Sequence, residues 1–373
     1  MKKFGLYFST GTLLLTMAFS QVKDPLNLQQ LKEIYSSSPE NWPEPSILEG
    51  VVFEEIGKLP TNPYQNNKEL EDIVMLGKTL FFDPRLSSSN QISCASCHDP
   101  ELSFSNGRSV AIGRDHILGS RNVQAIENIW NREVFFWDGR AVGLEEQTLM
   151  PIADHIEMNQ NLEELPDKIA SIKGYLALFE KAFGNQEVDN DKIAKALATF
   201  QRSLTSRKSD FDYFMEGKHE RMSEEAIYGM HLFRTKAQCI NCHSGPLFTD
   251  DKFHNLGLHF YGRKHQDLGR YEITKDPKDV GAFKTPSLRN VKYTGPYMHN
   301  GLFPTLEGVV EMYSNGMARP KPRPEFENDP LFPETSPLVH NLQLTKEEKK
   351  ALIAFLESIS APPFRMSRPE LPQ

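Results

Sequence analysis

The chain has 373 residues, a formal net charge of −8 at pH 7, four cysteines and 39% hydrophobic residues. This length favours two domains. The charge is moderately acidic and no long basic run is present, which argues against nucleic acid as a partner.

The first twenty residues are predicted to be a secretory signal peptide. Lys2 and Lys3 give a positive start, an apolar core includes residues 13–15 and Met17, and residues 18–20 match a small-x-small cleavage site. The apolar run is too short for a convincing membrane span, and a retained N-terminal anchor is the alternative.

Helical patterns in the first half begin after a long lead-in. Residues 21–70 are rich in Pro, Asn and Ser, and we interpret them as an extended segment that wraps a first domain. From Glu71 to Phe82, apolar positions recur at i, i+3, i+4 and i+7, which predicts a helix with one buried face. Residues 99–134 are predicted to be loop-rich. Further helices are predicted at residues 161–183 and 191–206.

The second half begins at a polar junction, residues 207–222. Ser223 is predicted to cap a helix whose first turn carries Glu224 and Glu225, where the helix dipole favours carboxylates. The remaining predicted elements are an irregular region at 244–305, a helix at about 305–314, and a last helix opened by a capping-box pattern at 345–348.

All four cysteines lie in two C-x-x-C-H pentads, CASCH at 94–98 and CINCH at 239–243. Such a pentad is the attachment signature of a c-type haem, in which two thiols form thioethers and the histidine is the proximal iron ligand. A four-cysteine zinc site and disulfides are the alternatives, and a zinc site does not require histidine after both pairs. The candidate attachment residues are Cys94, Cys97, His98, Cys239, Cys242 and His243.

Each pentad follows an amphipathic helix, which is a weak internal repeat and predicts one haem in each half. The predicted domains are residues 21–206 and 207–340. Residues 341–373 are predicted to form a helix and tail that pack back on the first domain.

Several segments resemble the bacterial di-haem cytochrome c peroxidases and their MauG-like relatives, over roughly residues 70–360. The resemblance implies a mainly α fold of two c-type cytochrome-like domains, each with one covalently bound haem c. It also implies that the first haem meets hydrogen peroxide and the second passes electrons to it. The matching segments are LGKTLFFDPRLS before the first pentad, SRN at 120–122, FWDGRA at 136–141, LEEQ at 144–147, PSLRNV at 286–291 and TGPYMHNG at 294–301.

The same resemblance implies roles for residues of the peroxide site. Trp137 would lie between the haems, Glu157 would be the acid–base catalyst, and Gln147 and Pro151 match other positions of the distal pocket. Heterolytic O–O cleavage requires a proton to move from the near oxygen to the leaving oxygen, which a positioned glutamate can achieve. From the residues alone, Glu157 would be an ordinary surface carboxylate.

A calcium ion between the domains is also implied by the resemblance. Its ligands would be the side chain of Asn122 and the backbone carbonyls of Thr294 and Pro296. Oxygen ligands suit this hard cation. From the residues alone, these positions would be turns.

Two positions depart from the typical peroxidase pattern, and the first is the distal ligand of the second haem. Tyr313 aligns where a methionine ligates the iron, as in MauG-like members, and Met312 is the alternative. Apolar residues at 306, 309, 310 and 313 place Tyr313 on the buried helix face. An oxygen ligand favours higher oxidation states of iron, whereas methionine raises the potential.

The second departure concerns the loop that gates the peroxide haem in many relatives. The position of the blocking histidine falls on Arg114, which does not ligate iron. His116 would substitute if the loop shifted, although a solvated histidine is the favoured interpretation. We therefore expect an open peroxide site in the fully oxidised protein.

These observations predict a periplasmic di-haem c-type peroxidase with two covalently bound haem c groups and one calcium ion. The alternative is a MauG-like di-haem oxidase that uses a high-valent iron state to modify a protein or small molecule. Expected partners are hydrogen peroxide and either a small periplasmic electron donor (cytochrome c or cupredoxin) or a protein substrate, and a homodimer is compatible with the resemblance. A non-catalytic electron carrier is the rival from another class.

Overall fold

The computed structural model describes residues 28–363 and 365–373, so the predicted signal peptide lies outside the described residues. Among the described residues, no helix is long and apolar enough to cross a membrane. The fold is mainly helical, as predicted. Its helices are α1 (Leu28–Tyr35), α2 (Glu71–Phe82), α3 (Cys94–Cys97), α4 (Leu144–Ala153), α5 (Leu165–Ala170), α6 (Lys173–Phe183), α7 (Asn190–Ser203), α8 (Asp210–Met215), α9 (Glu224–Arg234), α10 (Tyr271–Thr274), α11 (Leu306–Ser314) and α12 (Lys346–Ser358).

Two short antiparallel ribbons hold loops in place. Strand β1 (Val134–Phe135) pairs with β2 (Ala141–Val142), and β3 (Phe253–Asn255) pairs with β4 (Ala282–Lys284). The backbone N–H of Lys284 donates a 2.8 Å hydrogen bond to the carbonyl of Trp137. This bond joins the loop between β1 and β2 to a strand of the second half.

Helix α2 packs against α7 at the centre of the first hydrophobic core. Gly77 permits this approach, because a Cβ atom there would lie 1.9 Å from the carbonyl oxygen of Ala196. The predicted apolar face of α2 is buried, since Leu76 and Leu80 are both 0% exposed. The helix predicted over residues 161–183 is instead two helices, α5 and α6.

The second core repeats this arrangement with α9 and α12. A Cβ atom at Gly229 would lie 1.9 Å from the carbonyl oxygen of Ala351 and 2.9 Å from the Cβ of Phe355. In each half, a glycine on the helix that precedes the pentad therefore touches the backbone of the last helix of that core.

The first part of the lead-in packs on the second core rather than on the first domain, which corrects our expectation, whereas Asn62 donates to the carbonyl of Arg202 of the first half at 2.7 Å. Leu31 and Tyr35 of α1, with Trp42, are buried against the face of α9. The physical reason is Arg234, which is 1% exposed and needs partners for its charge. Its guanidinium pairs with Glu55 and donates to the hydroxyl of Tyr35 at 3.1 Å.

The C-terminal segment is divided between the two cores. Helix α12 completes the second core, which corrects the expectation that it packs on the first domain. Only the tail reaches the first half, where Arg85 donates to the carbonyl of Pro372 at 2.9 Å. The N–H of Gly174 also donates to the carbonyl of Gln373 at 3.0 Å. The apolar side chains of α12 match α9, whereas the tail offers mainly backbone carbonyls.

Candidate functional site

A cavity of about 630 Å³ is lined by residues of both halves and of both pentads. Cys97 and His98 face it from the first half, and Cys239, Cys242 and His243 face it from the second. Both cores therefore present their pentads to one shared space.

The thiols are placed for haem attachment and not for a zinc site. All four cysteines are free, so neither pair forms a disulfide. Within the described residues, the metal-ligating side chains that converge within 4.8 Å are Cys242, Asp250 and His254. The four thiols do not meet. His254 instead forms a 2.8 Å pair with Asp250.

The two pentad histidines are oriented in the same way. Nδ1 of His98 lies 2.9 Å from the carbonyl oxygen of Phe104, and Nδ1 of His243 lies 3.0 Å from that of Phe248. A carbonyl only accepts, so Nδ1 carries the proton and Nε2 is left to bind a metal. Burial lowers the pKa of both imidazoles despite these bonds, which favours the neutral form that a metal requires. The arrangement fits two c-type haems.

Three of the predicted peroxide-site residues line the cavity that the two pentads share. Helix α4 carries Gln147 and Pro151, and a turn then brings Glu157 to the same cavity. The turn is held by Asp154, whose Oδ1 accepts from the N–H groups of Ile156 at 2.7 Å and Glu157 at 3.3 Å.

Glu157 and Cys97 line the same cavity, and the pKa of the Cys97 thiol is raised by burial first and then by the charge of Glu157. Burial raises the pKa of Glu157 itself, and the nearby charge of Asp154 raises it further against the opposing effect of Arg140. A carboxyl with a raised pKa is suited to accept and return a proton near neutral pH.

Trp137 lies on the wall of the shared cavity and is 8% exposed. Its ring centroid is 6.4 Å from that of His299, which stacks on Phe283 at 3.5 Å. Its Nε1 donates to the backbone carbonyl of Asn122 at 2.9 Å. The indole is thus fixed between residues of the two halves.

The three predicted calcium ligands line the same cavity. The Nδ2 group of Asn122 donates to the carbonyls of Arg108 at 2.9 Å and Ser109 at 3.3 Å, which fixes the orientation of the amide. No hydrogen bond from another described residue reaches its Oδ1 or the carbonyls of Thr294 and Pro296. Three uncharged oxygens fit calcium as part of a ligand set that water completes.

Helix α11 presents Tyr313 to the cavity and Met312 elsewhere. Leu306, Val309, Val310 and Tyr313 line the cavity, whereas Met312 is not among the lining residues. Burial raises the pKa of the Tyr313 phenol, and the thiols of Cys242 and Cys239 contribute. The ring therefore lies beside the second pentad.

The loop around Arg114 is tied to the segment of Glu157. The N–H of Arg114 donates to the carbonyls of Ile156 and Glu157 at 3.0 Å, and its Nε donates to that of His155 at 2.7 Å. His116 is exposed, and neither Arg114 nor His116 lines the cavity.

Glu127 also lines the cavity, and the sequence reasoning missed it. It is 8% exposed and accepts a 2.7 Å hydrogen bond from Nδ2 of Asn290. The available signal was a carboxylate next to Asn128 and between two apolar residues, Ile126 and Ile129.

Comparisons with known proteins agree with this geometry. A family profile described as di-haem cytochrome c peroxidase matches residues 71–220. The methylamine utilization protein MauG of Methylorubrum extorquens is 39% identical over 304 residues, covering 80% of this chain and 81% of that protein. The cytochrome c551 peroxidase of Nitrosomonas europaea is 34% identical over 329 residues, covering 86% of this chain and 92% of that protein.

A solved structure of a MauG-like protein associated with microbial copper homeostasis is also similar. It has a TM-score of 0.70 and 30% sequence identity, and the match covers 84% of this chain and 95% of that one. The fold, the paired pentads and these similarities identify an oxidoreductase with two covalently bound haem c groups. The chain belongs to the di-haem cytochrome c peroxidase and MauG family.

Proposed function

We propose that this chain is a periplasmic enzyme that reduces hydrogen peroxide at the haem held by His98. The observation that carries the proposal is the placement of Glu157, whose partly buried carboxyl faces the cavity beside the first pentad. The bound haem supplies the iron that binds peroxide and the electrons that reduce it.

The residues around the first pentad supply the proton transfers. Glu157 takes the proton from the oxygen nearer the iron and returns it to the leaving oxygen, so that water departs. Asp154 fixes the backbone of Glu157, and Gln147 and Pro151 shape the same wall. The reaction consumes two electrons and two protons for each hydrogen peroxide and releases two water molecules.

A haem held by His243 would supply electrons to the first site, and Trp137 lies on the wall of the cavity between the two pentads. The cavity that both pentads share supports this path. A small periplasmic cytochrome c or cupredoxin is the proposed donor, and calcium at Asn122, Thr294 and Pro296 is proposed to hold the two halves in register around Trp137.

The second candidate function is a MauG-like oxidation of a protein or small-molecule substrate. Tyr313 favours it, because the phenol on the cavity wall would provide an oxygen ligand for the second iron. An oxygen ligand stabilises oxidised iron, whereas methionine favours ferrous iron. The loop of Arg114 adds to this, because neither Arg114 nor His116 lines the cavity.

Stopped-flow spectroscopy of the fully oxidised protein with one equivalent of hydrogen peroxide tests the proposal. We expect a rapid spectral change without added reductant. No change until one electron is supplied would overturn the open first site, and no change in any redox state would overturn the peroxidase. Turnover with a reduced small cytochrome separates the candidates, because rapid turnover favours the peroxidase and a long-lived oxidised state favours the oxidase.

A further inference from the structure

Four carboxylates line the shared cavity within the described residues: Glu127, Asp138, Asp154 and Glu157. Asp138 is paired with Arg121 at 2.6 Å and with Arg140 at 3.2 Å. Asp154 holds a backbone turn, and Glu157 is the proposed catalyst. Glu127 has no role in the proposed reaction.

Glu127 is held by neutral groups alone. Its Oε2 accepts from Nδ2 of Asn290 at 2.7 Å, and it forms no ion pair with any described residue. The hydroxyl of Ser103 also lies near it and has no hydrogen-bond partner in the described ranges. A buried carboxyl without a cation is the kind of group that exchanges a proton when the local charge changes.

The amide of Asn290 is fixed from its other side. Its Oδ1 accepts from the N–H of Ala361 at 2.9 Å, so Nδ2 must face Glu127. The contact joins the two halves, since Asn290 belongs to the second. The amide can donate to a carboxylate, and it can donate equally to the carbonyl oxygen of a carboxylic acid.

Charged groups on the neighbouring elements are engaged elsewhere. Arg289 pairs with Asp212 at 2.8 Å, and Lys292 pairs with Glu357 at 3.0 Å. On the segment of Glu127 itself, Arg132 lies 3.6 Å from Asp251. None of these cations neutralises Glu127.

Glu127 is also connected to the proximal side of the first haem site. Ser103 directly precedes Phe104, and the carbonyl of Phe104 accepts from Nδ1 of His98 at 2.9 Å. A charge change at the iron held by His98 therefore occurs close to Glu127, in surroundings of low polarity where Coulomb interactions are strong.

We propose that Glu127 is the proton-binding site that compensates the charge of the electron received by the haem at His98. The carboxylate would take one proton from solvent and become a carboxylic acid when the haem held by His98 is reduced by one electron from the donor. When the iron is oxidised again, the acid releases that proton. The inference rests on the proposed placement of a haem at His98.

Burial supports this proposal, because it raises the pKa of Glu127 against the opposing hydrogen bond of Asn290. An added electron on the iron raises that pKa further, since it disfavours a second negative charge nearby. Burial and the added electron both raise the pKa of Glu127, so we expect Glu127 to take up a proton when the haem is reduced.

The test is a spectroelectrochemical titration of the first-haem potential against pH, without peroxide, for the wild-type holoprotein and Glu127→Gln. The glutamine keeps an oxygen that accepts from Asn290 but does not titrate. For the wild type we expect a window in which the potential falls as pH rises, with a limit of about 59 mV per pH unit for a one-electron couple. In that window the first-haem potential of Glu127→Gln should not change with pH. The control Glu163→Gln, at an exposed carboxylate, should show the same pH dependence as the wild type.

Equal slopes in the wild type and Glu127→Gln, or a flat wild-type profile, would overturn this inference alone. A preparation that lacks a first-haem spectrum would overturn the proposed function as well. Asn290→Ala gives a second test if the glutamine variant fails to fold. Losing that amide donor raises the pKa of Glu127, so the sloped window should move to higher pH, and an unmoved window would count against the inference.

Discussion

The indole Nε1 of Trp137 donates a 2.9 Å hydrogen bond to the backbone carbonyl of Asn122. The residue proposed to connect the haems is thereby anchored to a residue proposed to bind calcium. Because of this bond, a calcium ion that fixes the Asn122 segment would also fix the position of the indole.

The first prediction is that Asn122→Ala abolishes calcium binding and slows electron exchange between the haems. The variant removes one oxygen ligand and the bonds that fix the segment at Arg108 and Ser109. Calcium titration and flash-initiated electron transfer measure the two effects. Asn185→Ala, at an exposed asparagine, should change neither. Wild-type calcium affinity in Asn122→Ala would rule out the site.

Glu157→Gln should slow the reaction with peroxide by about 10²–10⁴-fold, the range for loss of a general acid–base group. Glutamine keeps the shape of the side chain but cannot carry the proton. Stopped-flow rates measure the loss, while the resting spectrum should stay unchanged. Glu163→Gln is the matched control. Equal rates in the two variants would remove Glu157 from the mechanism.

The pH dependence of the same reaction should report the pKa of Glu157. Because that pKa is raised, activity should begin to fall on acidification at a higher pH than an ordinary glutamate would give. Asp154→Asn removes a charge that raises it and keeps an oxygen for the N–H of Ile156. The acid limb of kcat/KM should therefore move to lower pH. An unmoved limb would assign it to another group.

The comparison of Tyr313 with Met312 yields a further prediction. Tyr313→Met should raise the potential of the second haem, because methionine favours ferrous iron. Met312→Leu should leave the potential and spectrum unchanged, because this side chain is not on the cavity wall. Redox titration with visible spectroscopy measures both. If only Met312→Leu shifted the potential of the second haem, the ligand would be Met312 and not Tyr313.

Local patterns in the sequence explain why much of the site was predictable. The two thiols and the histidine that attach a haem all lie within the five residues of a C-x-x-C-H pentad. The apolar residues at 306, 309, 310 and 313 predicted the face of α11 that lines the cavity. The position of the lead-in was not predictable, because Glu55 and Arg234 are far apart in the chain. The role of Glu127 was hidden for the same reason, since its partner Asn290 belongs to the other half.

Gly229→Ala should destabilise the second core by about 1–3 kcal/mol, the usual cost of overpacking. The added Cβ would meet the backbone of α12, which cannot move aside as a flexible side chain would. Thermal unfolding measures the loss as a lower Tm. Gly308→Ala on α11 is the control, because its Cβ would have room and alanine favours a helix. Equal Tm values would show that α9 and α12 are more loosely packed.

The repeated glycine contact also bears on the order in which the protein is made. In a chain synthesised from its N-terminus, each pentad is complete well before the helix that closes its core, α7 for the first and α12 for the second. Each haem-binding segment is therefore exposed during synthesis while its core lacks one wall.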